Sequence, residues 1–380
     1  MTEEKDISSG DIAIPGSVIS SRNKSTSVVS RLHQHALEEI TQSIADTTNH
    51  FIEFAMNTEE HECLNVDDIM NVRSYKYSKE GTWDPTIIWF GARRTGKSVQ
   101  LKDIVTTAHE RGLIGRVTVI TATRQNQFWD NVVPYTSVFP ITSALSVIKD
   151  IKQKQQLRAS LMQRGKPLLY GPESFQHTLI LDDVVHDKHL ARYSDELAEA
   201  FFTFRHTGCA VIMTSQYPTA IAPGLRSNAD FVFIMTQNGY NAKELLWRDH
   251  LEFITDRRIA NYFMDNVPKQ WRSIVIHKTD TTLTPQEKVR WFRAIDRDEV
   301  EGEPDPITGI KKLTVQWGNE KWRKVKAKED DDYKKKEAQS EEEAIRNGNR
   351  GGWDSFGDIN TKAVIENELV SLRAALNKLM

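Results

Sequence analysis

Gly91-Ala92-Arg93-Arg94-Thr95-Gly96-Lys97-Ser98 is a run whose residue types and spacing suit the holding of phosphate. It satisfies G-x-x-x-x-G-K-[ST]: glycines that let backbone N–H groups converge on anionic oxygens, a lysine that reaches β- and γ-phosphates, and a hydroxyl that ligates magnesium. Val99 extends it into a helix whose first N–H groups and dipole add positive potential. Asp182 and Asp183 end the apolar run "HTLILDD". There the first carboxylate can hold Mg2+ and the second can orient or deprotonate water. Gln216 closes another apolar run, "CAVIMTSQ", where its amide can sense a γ-phosphate or the attacking water. Arg205, just before that run, and Arg226, in "PGLRSNAD", are placed to neutralise transition-state charge, supplied in trans by a neighbouring subunit. This chemistry asks for ATP and Mg2+. The guanine-reading Asn-Lys-x-Asp occurs nowhere in the chain, which argues against a signalling GTPase.

These groups need strands that end at one edge of a sheet. Short β-rich runs at Thr86 to Phe90, Val117 to Thr121, Thr178 to Leu181, Ala210 to Thr214 and Asp230 to Met235 alternate with helical patterns at 97–111, 142–164 and 194–206. That alternation predicts an α/β fold with a mostly parallel sheet and helices on both faces. "RSIVIH" at 272–277 would extend the sheet at an edge. Residues 1–28 read as a mobile arm, and 29–56 as one or two helices packing outside the core.

Beyond residue 300 the chain mixes dense charge of both signs, then recovers a seam of Ile365, Leu369, Leu372, Leu376 and Leu379. This is the pattern of a short helix that needs a partner or pairs with itself. The expected organisation is therefore 1–82, arm and helical region; 83–300, P-loop domain; and 301–380, charged linker and amphipathic helix.

Composition narrows the setting. The 380 residues are 39% hydrophobic and 27% charged with a formal charge of −3, so a nucleic acid must be met by a local basic patch. Two cysteines, with no metal-spaced Cys/His cluster, indicate neither a disulfide framework nor a zinc site. No apolar run approaches membrane-spanning length, and the first residues are too polar for a signal peptide, so a soluble protein is expected.

Taken in order, "FGARRTGKS", "LILDD", "RHTGCAVIMTSQYP" and "APGLRSNADFVFIM" resemble the FtsK/HerA superfamily of P-loop motors, and most closely the poxvirus-type genome-packaging ATPases of large double-stranded DNA viruses. The resemblance covers about residues 83 to 300. It implies an additional-strand P-loop fold, with the Gln216 strand between the strands of the phosphate loop and the acids. It also implies that 83–300 is the motor domain of a homo-oligomeric ring, usually a hexamer, that couples ATP hydrolysis to pulling double-stranded DNA into a capsid, in a virion or a cytoplasmic viral factory. A capsid or portal component is then the partner expected for the C-terminal helix. By the same resemblance Arg205 is the arginine acting in trans and Arg226 a secondary candidate. Cellular members carry Asp-Glu where this chain has Asp182-Asp183. An ATPase serving as an assembly factor without moving DNA is the alternative.

DNA itself is expected along 149–166, where Lys149, Lys152, Lys154, Arg158, Arg164 and Lys166 face one carboxylate, Asp150. Cations without an aromatic platform suit non-specific phosphate contact. The loop around Arg124 and Trp129 is the second candidate.

Overall fold

The computed structural model describes residues 16–70, 72–73, 82–122, 128–129, 132–134, 137–165, 176–184, 190, 194–279, 282–294 and 335. The C-terminal leucine seam, Arg124 and Lys166 lie outside them. In chain order the elements begin with helices α1 (Gly16–Met56) and α2 (Val66–Met70) and a small antiparallel pair, β1 (Val72–Arg73) with β2 (Thr82–Trp83). The main sheet is built from β3 (Thr86–Phe90), β4 (Arg116–Thr121), β5 (Val138–Pro140), β6 (His177–Asp182), β7 (Cys209–Ser215), β8 (Phe231–Ile234), β9 (Arg272–His277) and β10 (Val289–Arg293). The helices between them are α3 (Lys97–Glu110), α4 (Ala144–Gln163), α5 (Asp195–Thr203), α6 (Pro223–Ser227), α7 (Tyr240–His250) and α8 (Arg257–Asn266).

The strand order is β10-β9-β8-β3-β7-β6-β4-β5. From β8 to β5 every pairing is parallel, and β9 and β10 add on antiparallel. This is the α/β P-loop fold, with β7 inserted between β3 and β6 as expected. Parallel central strands covered on both faces read as continuous apolar runs, and β3 shows why. Ile88 and Phe90 join one core layer, with α4 and α5 residues such as Ile148, Leu197 and Phe201. Ile87 and Trp89 point the other way, into a layer with Leu101, Ile104 and Ala108 of α3. Each such side chain contributes about 1.5–3 kcal/mol by leaving water, so a one-residue slip of β3 would forfeit the burial of both layers at once.

Three expectations change. Residues 16–28 continue into one helix with 29–56, because no proline or glycine interrupts 17–56 and the Ser, Thr and Asn residues cost only a fraction of a kcal/mol each. The chain divides into two compact units between His50 and Phe51, and the end of α1 belongs to the core rather than packing outside it. Phe51, Phe54, Val66, Ile69 and Met70 are buried in the core, and Phe51 and Phe54 meet Phe263 edge to face. Finally, 272–277 is an interior strand: β10, whose apolar residues alternate with arginines, pairs outside it from Val289↔Ile276 to Arg293↔Arg272.

Candidate active site

Phe90 ends β3 and Lys97 begins α3, so the chain reverses within residues 91–96. Arg94 and Gly96 do this in the left-handed region, with φ of 60° and 93°. A Cβ on Gly96 would also lie 2.9 Å from Cε3 of Trp271, and one on Gly91 2.7 Å from Thr95 Oγ1. Only glycine meets both demands at Gly96. The turn is tied to its neighbours: Gly91 N donates to Ser215 O at 3.1 Å and Ala92 N to Thr236 O at 3.0 Å. Thr95 Oγ1 donates to Ala92 O at 2.9 Å. The first N–H groups of α3 have no intrahelical acceptor and are left for an anion.

Lys97 is buried, and its ammonium donates to the carbonyls of Gly91 at 2.7 Å and Ala92 at 2.9 Å. Burial lowers its pKa, while the charges of Asp183 and Asp182 push it back up. The lysine is therefore within electrostatic reach of both acids at the end of β6. Asp182 is 6% exposed and accepts from Thr214 Oγ1 at 2.9 Å and Trp129 Nε1 at 3.1 Å. Its carboxyl is raised chiefly by burial and held back by those two donors. Asp183 takes a left-handed backbone, φ 53°, and its N–H donates to the same Thr214 hydroxyl at 2.8 Å. Gln216 donates from Nε2 to Asp183 Oδ2 at 2.6 Å. Thr214 thus sits between the two acids, and Gln216 holds the second. Ser98 is half-buried in the first turn of α3, while Arg93, Arg94 and Val99 are exposed.

The structure brings Lys97, Asp182, Asp183 and Gln216 together at the carboxyl-end edge of the sheet. It places the two arginines elsewhere. Arg205 precedes β7 and lies 3.6 Å from the fully buried Asp230, which accepts from Thr86 N at the amino-terminal start of β3. Arg226 is buried in α6, paired with Asp249 at 2.8 Å and donating to the carbonyls of Pro218 and Ile221.

The basic strip is corrected. Lys154 and Arg158 fall on the buried face of α4, four residues apart, with Lys154 paired to Asp150 at 2.7 Å. Lys149 and Lys152 face outward and pair with Glu196 and Glu199 of α5. Residues three or four apart share a helix face, so Lys149 and Lys152 lie together, Lys154 and Arg158 lie together on another face, and the four make no common surface. Trp129 is likewise a buried donor to Asp182 rather than part of an exposed DNA loop.

No family model matches the chain. The uncharacterized protein L437 of Acanthamoeba polyphaga mimivirus is 26% identical over 251 residues, 65% of this chain and 86% of that protein. The uncharacterized protein 015R of Frog virus 3 is 23% identical over 210 residues, 55% of this chain and 61% of that one. Among solved structures, the genome packaging NTPase B204 of Sulfolobus turreted icosahedral virus 2 in complex with ATP-gammaS is similar. It has 15% identity and a TM-score of 0.38, covering 56% of this chain and 98% of that chain.

Three residues of the site escape a reading of the sequence. Thr214 is a polar residue inside an apolar strand, a visible though weak signal. Trp129 and Trp271 carry none, since a tryptophan in a loop has the same pattern whether it packs, donates or stacks. Among the described residues no three His, Cys, Asp or Glu side chains cluster for a metal, and no helix is long and apolar enough to cross a membrane.

Proposed function

We propose that this chain hydrolyses ATP at the turn 91–98 and uses the energy to translocate double-stranded DNA as a homo-oligomeric ring, packaging a viral genome. The observation that carries the hydrolytic part is the linked set of Lys97, Asp182, Thr214, Asp183 and Gln216 at one sheet edge. The motor part draws on the order of the motifs and on β7 lying between β3 and β6; the sequence relatives above are virus proteins.

In this reading the first-turn N–H groups of α3 and Lys97 bind the β- and γ-phosphates, with Lys97 exchanging its loop carbonyls for phosphate oxygens. Asp183 accepts a proton from water as the water oxygen bonds to the γ-phosphorus, and the bond to the β-bridging oxygen breaks to leave ADP and phosphate. Gln216, bonded to Asp183, orients that carboxylate and registers whether a γ-phosphate is present. Ser98 and Asp182 are hard oxygen donors of the kind Mg2+ takes, and Asp182 is buried and fixed by two donors. Bound there, the ion would neutralise phosphate charge. Arg205 of a neighbouring subunit would complete the site by exchanging Asp230 for phosphate.

Phosphate release by the purified full-length chain, with and without duplex DNA, tests both halves. Lys97→Ala should lower hydrolysis by about a hundredfold or more; turnover at the parent rate would end the reading. Hydrolysis that ignores DNA in an assembled ring would favour the assembly-factor alternative.

A further inference from the structure

Trp271 is 61% exposed, although it follows directly on a helix-to-strand turn and precedes an interior strand. It and Gln270 are two successive residues in the left-handed region, with φ of 63° and 56°. Such conformations disfavour non-glycine residues and persist only where the surroundings over-determine them. Here the bracing is explicit. Arg272 Nε donates to the carbonyls of Val267 and Lys269, at 3.2 and 3.0 Å, and closes the turn on itself. Thr236 Oγ1 donates to Pro268 O at 3.0 Å, while the Thr236 carbonyl accepts from Ala92 N in the phosphate turn. Gln100, one helical turn after Lys97, is 1% exposed and donates to Trp271 O at 2.8 Å; its Oε1 accepts from Trp89 Nε1 at 3.0 Å. The indole edge lies close to Gly96, where an added Cβ would come within 2.9 Å of its Cε3. A large apolar ring is thus held beside the phosphate turn by groups that flank that turn, yet stays exposed.

The strand order says what such a ring borders. Asp182 ends β6, Asp183 follows it and Gln216 follows β7, both strands on one side of β3, so the terminal phosphate of a nucleotide held at the turn lies toward that side. The sugar and base of a nucleotide then leave toward the other side, where β8 and β9 lie, and Trp271 immediately precedes β9. Tyr217 and Phe128, also exposed, belong to the γ-phosphate side by the same argument: Tyr217 follows Gln216, and Phe128 stacks edge-on with Trp129, the donor to Asp182.

We infer that Trp271 is the stacking platform for the nucleobase of the nucleotide bound at the turn 91–98. This rests on the phosphate-binding reading of that turn and adds the subsite for the base. An aromatic face accepts any base, since every base presents a π-face, so the platform contributes affinity with little discrimination between adenine and guanine. Gly96 has a second purpose: without a side chain it lets the ring lie flush with the phosphate turn.

The test measures dissociation constants of the full-length chain for three probes: β,γ-methylene ATP, β,γ-methylene GTP and inorganic tripolyphosphate. Trp271→Ala should weaken both nucleotides by about tenfold to a hundredfold, leave tripolyphosphate at its wild-type value, and so erase the advantage a base confers. Trp271→Phe should recover most of the loss. Nucleotide binding by Trp271→Ala at wild-type strength would overturn the inference, and a simultaneous loss of ring assembly would then assign the indole to a subunit contact. Equal weakening of tripolyphosphate would overturn it too, because the ring would be bracing Gly96. Tripolyphosphate affinity indifferent to Lys97→Ala marks a failure of the phosphate site itself, which is distinguishable from a failure at Trp271.

Discussion

At the scale of single residues, Thr214 organises both carboxylates with one hydroxyl. It donates to Asp182 Oδ1 and accepts from the N–H of Asp183, so the orientations of Asp182, the proposed Mg2+ ligand, and Asp183, the proposed proton acceptor, are coupled. Thr214→Val keeps the shape of the side chain but leaves a buried carboxylate and an amide each short of a partner, a cost of about 1–3 kcal/mol. The expected outcome is a fall in kcat of about tenfold or more with the KM for ATP nearly unchanged, because Lys97 and the phosphate turn are untouched. Urea denaturation should register the same variant as less stable, and Thr214→Ser should restore activity. A rise in KM with kcat preserved would place Thr214 in binding instead. Asp183 has its own residue-scale feature, a left-handed backbone held by that hydrogen bond, which lifts its carboxylate off the strand direction toward Gln216.

Among elements, α4 and α7 show how helices that look solvated carry buried charge. In α4 the buried face includes Asp150, Lys154, Gln155 and Arg158, and Gln155 donates to the carbonyls of Thr207 and Gly208 at the turn into β7. Reversing the charge of Lys154 or Arg158 would therefore report on folding rather than on DNA. At the end of α7, His250 is 4% exposed beside Lys278, whose ammonium lies 3.4 Å from its Nδ1, with Arg226 and Asp249 close by. Burial first, then the charge of Lys278, push His250 down to about 3; Asp249 pulls it partly back up and Arg226 adds a smaller downward push. Between roughly pH 6.5 and 3 the unfolded chain takes up a proton that the native chain refuses, so stability falls as pH is lowered through that window. His250→Asn should flatten this limb by up to about 1.4 kcal/mol per pH unit, seen as closer denaturation midpoints at pH 7 and pH 4.5. An unchanged slope would show that His250 is not the group responsible.

For the whole molecule, the separation of Arg205 from Lys97 sets the question of assembly. Arg205 stands at the amino-terminal edge of the sheet with Asp230, and Lys97 at the carboxyl-end edge, so one chain cannot bring them together without refolding the sheet. A ring can, by presenting one subunit's amino-terminal edge to the next subunit's phosphate turn. Mixing Arg205→Ala subunits with Asp183→Asn subunits should then yield more hydrolysis than either alone, since some interfaces contain one intact site. Phosphate release across mixing ratios, in rings shown to exchange subunits, is the measurement. No recovery at any ratio would confine Arg205 to its ion pair with Asp230.

The sequence by itself determined the central strands and the polar groups at their ends. β3, β4, β6, β7 and β8 are apolar runs bounded by polar or glycine residues, and strands covered on both faces have no other way to read. The phosphate turn was legible because its glycines, lysine and hydroxyl stand at a fixed local spacing, and the acids and glutamine because each ends such a run. Tertiary structure decided the rest. β5 spans only three residues, and β10 mixes arginines with its apolar residues, so neither stands out until a neighbour pairs with it. Lys154 and Arg158 are cations like any others in the string of letters; burial and a partner four residues away make them interior. Thr214 lies inside β7 while Trp129 and Trp271 come from two separate connections, and only the folded sheet edge makes them neighbours of Asp182 and Gly96. A local spacing records what one segment can bind, whereas contacts between distant segments exist only once the chain has paid its conformational entropy to fold.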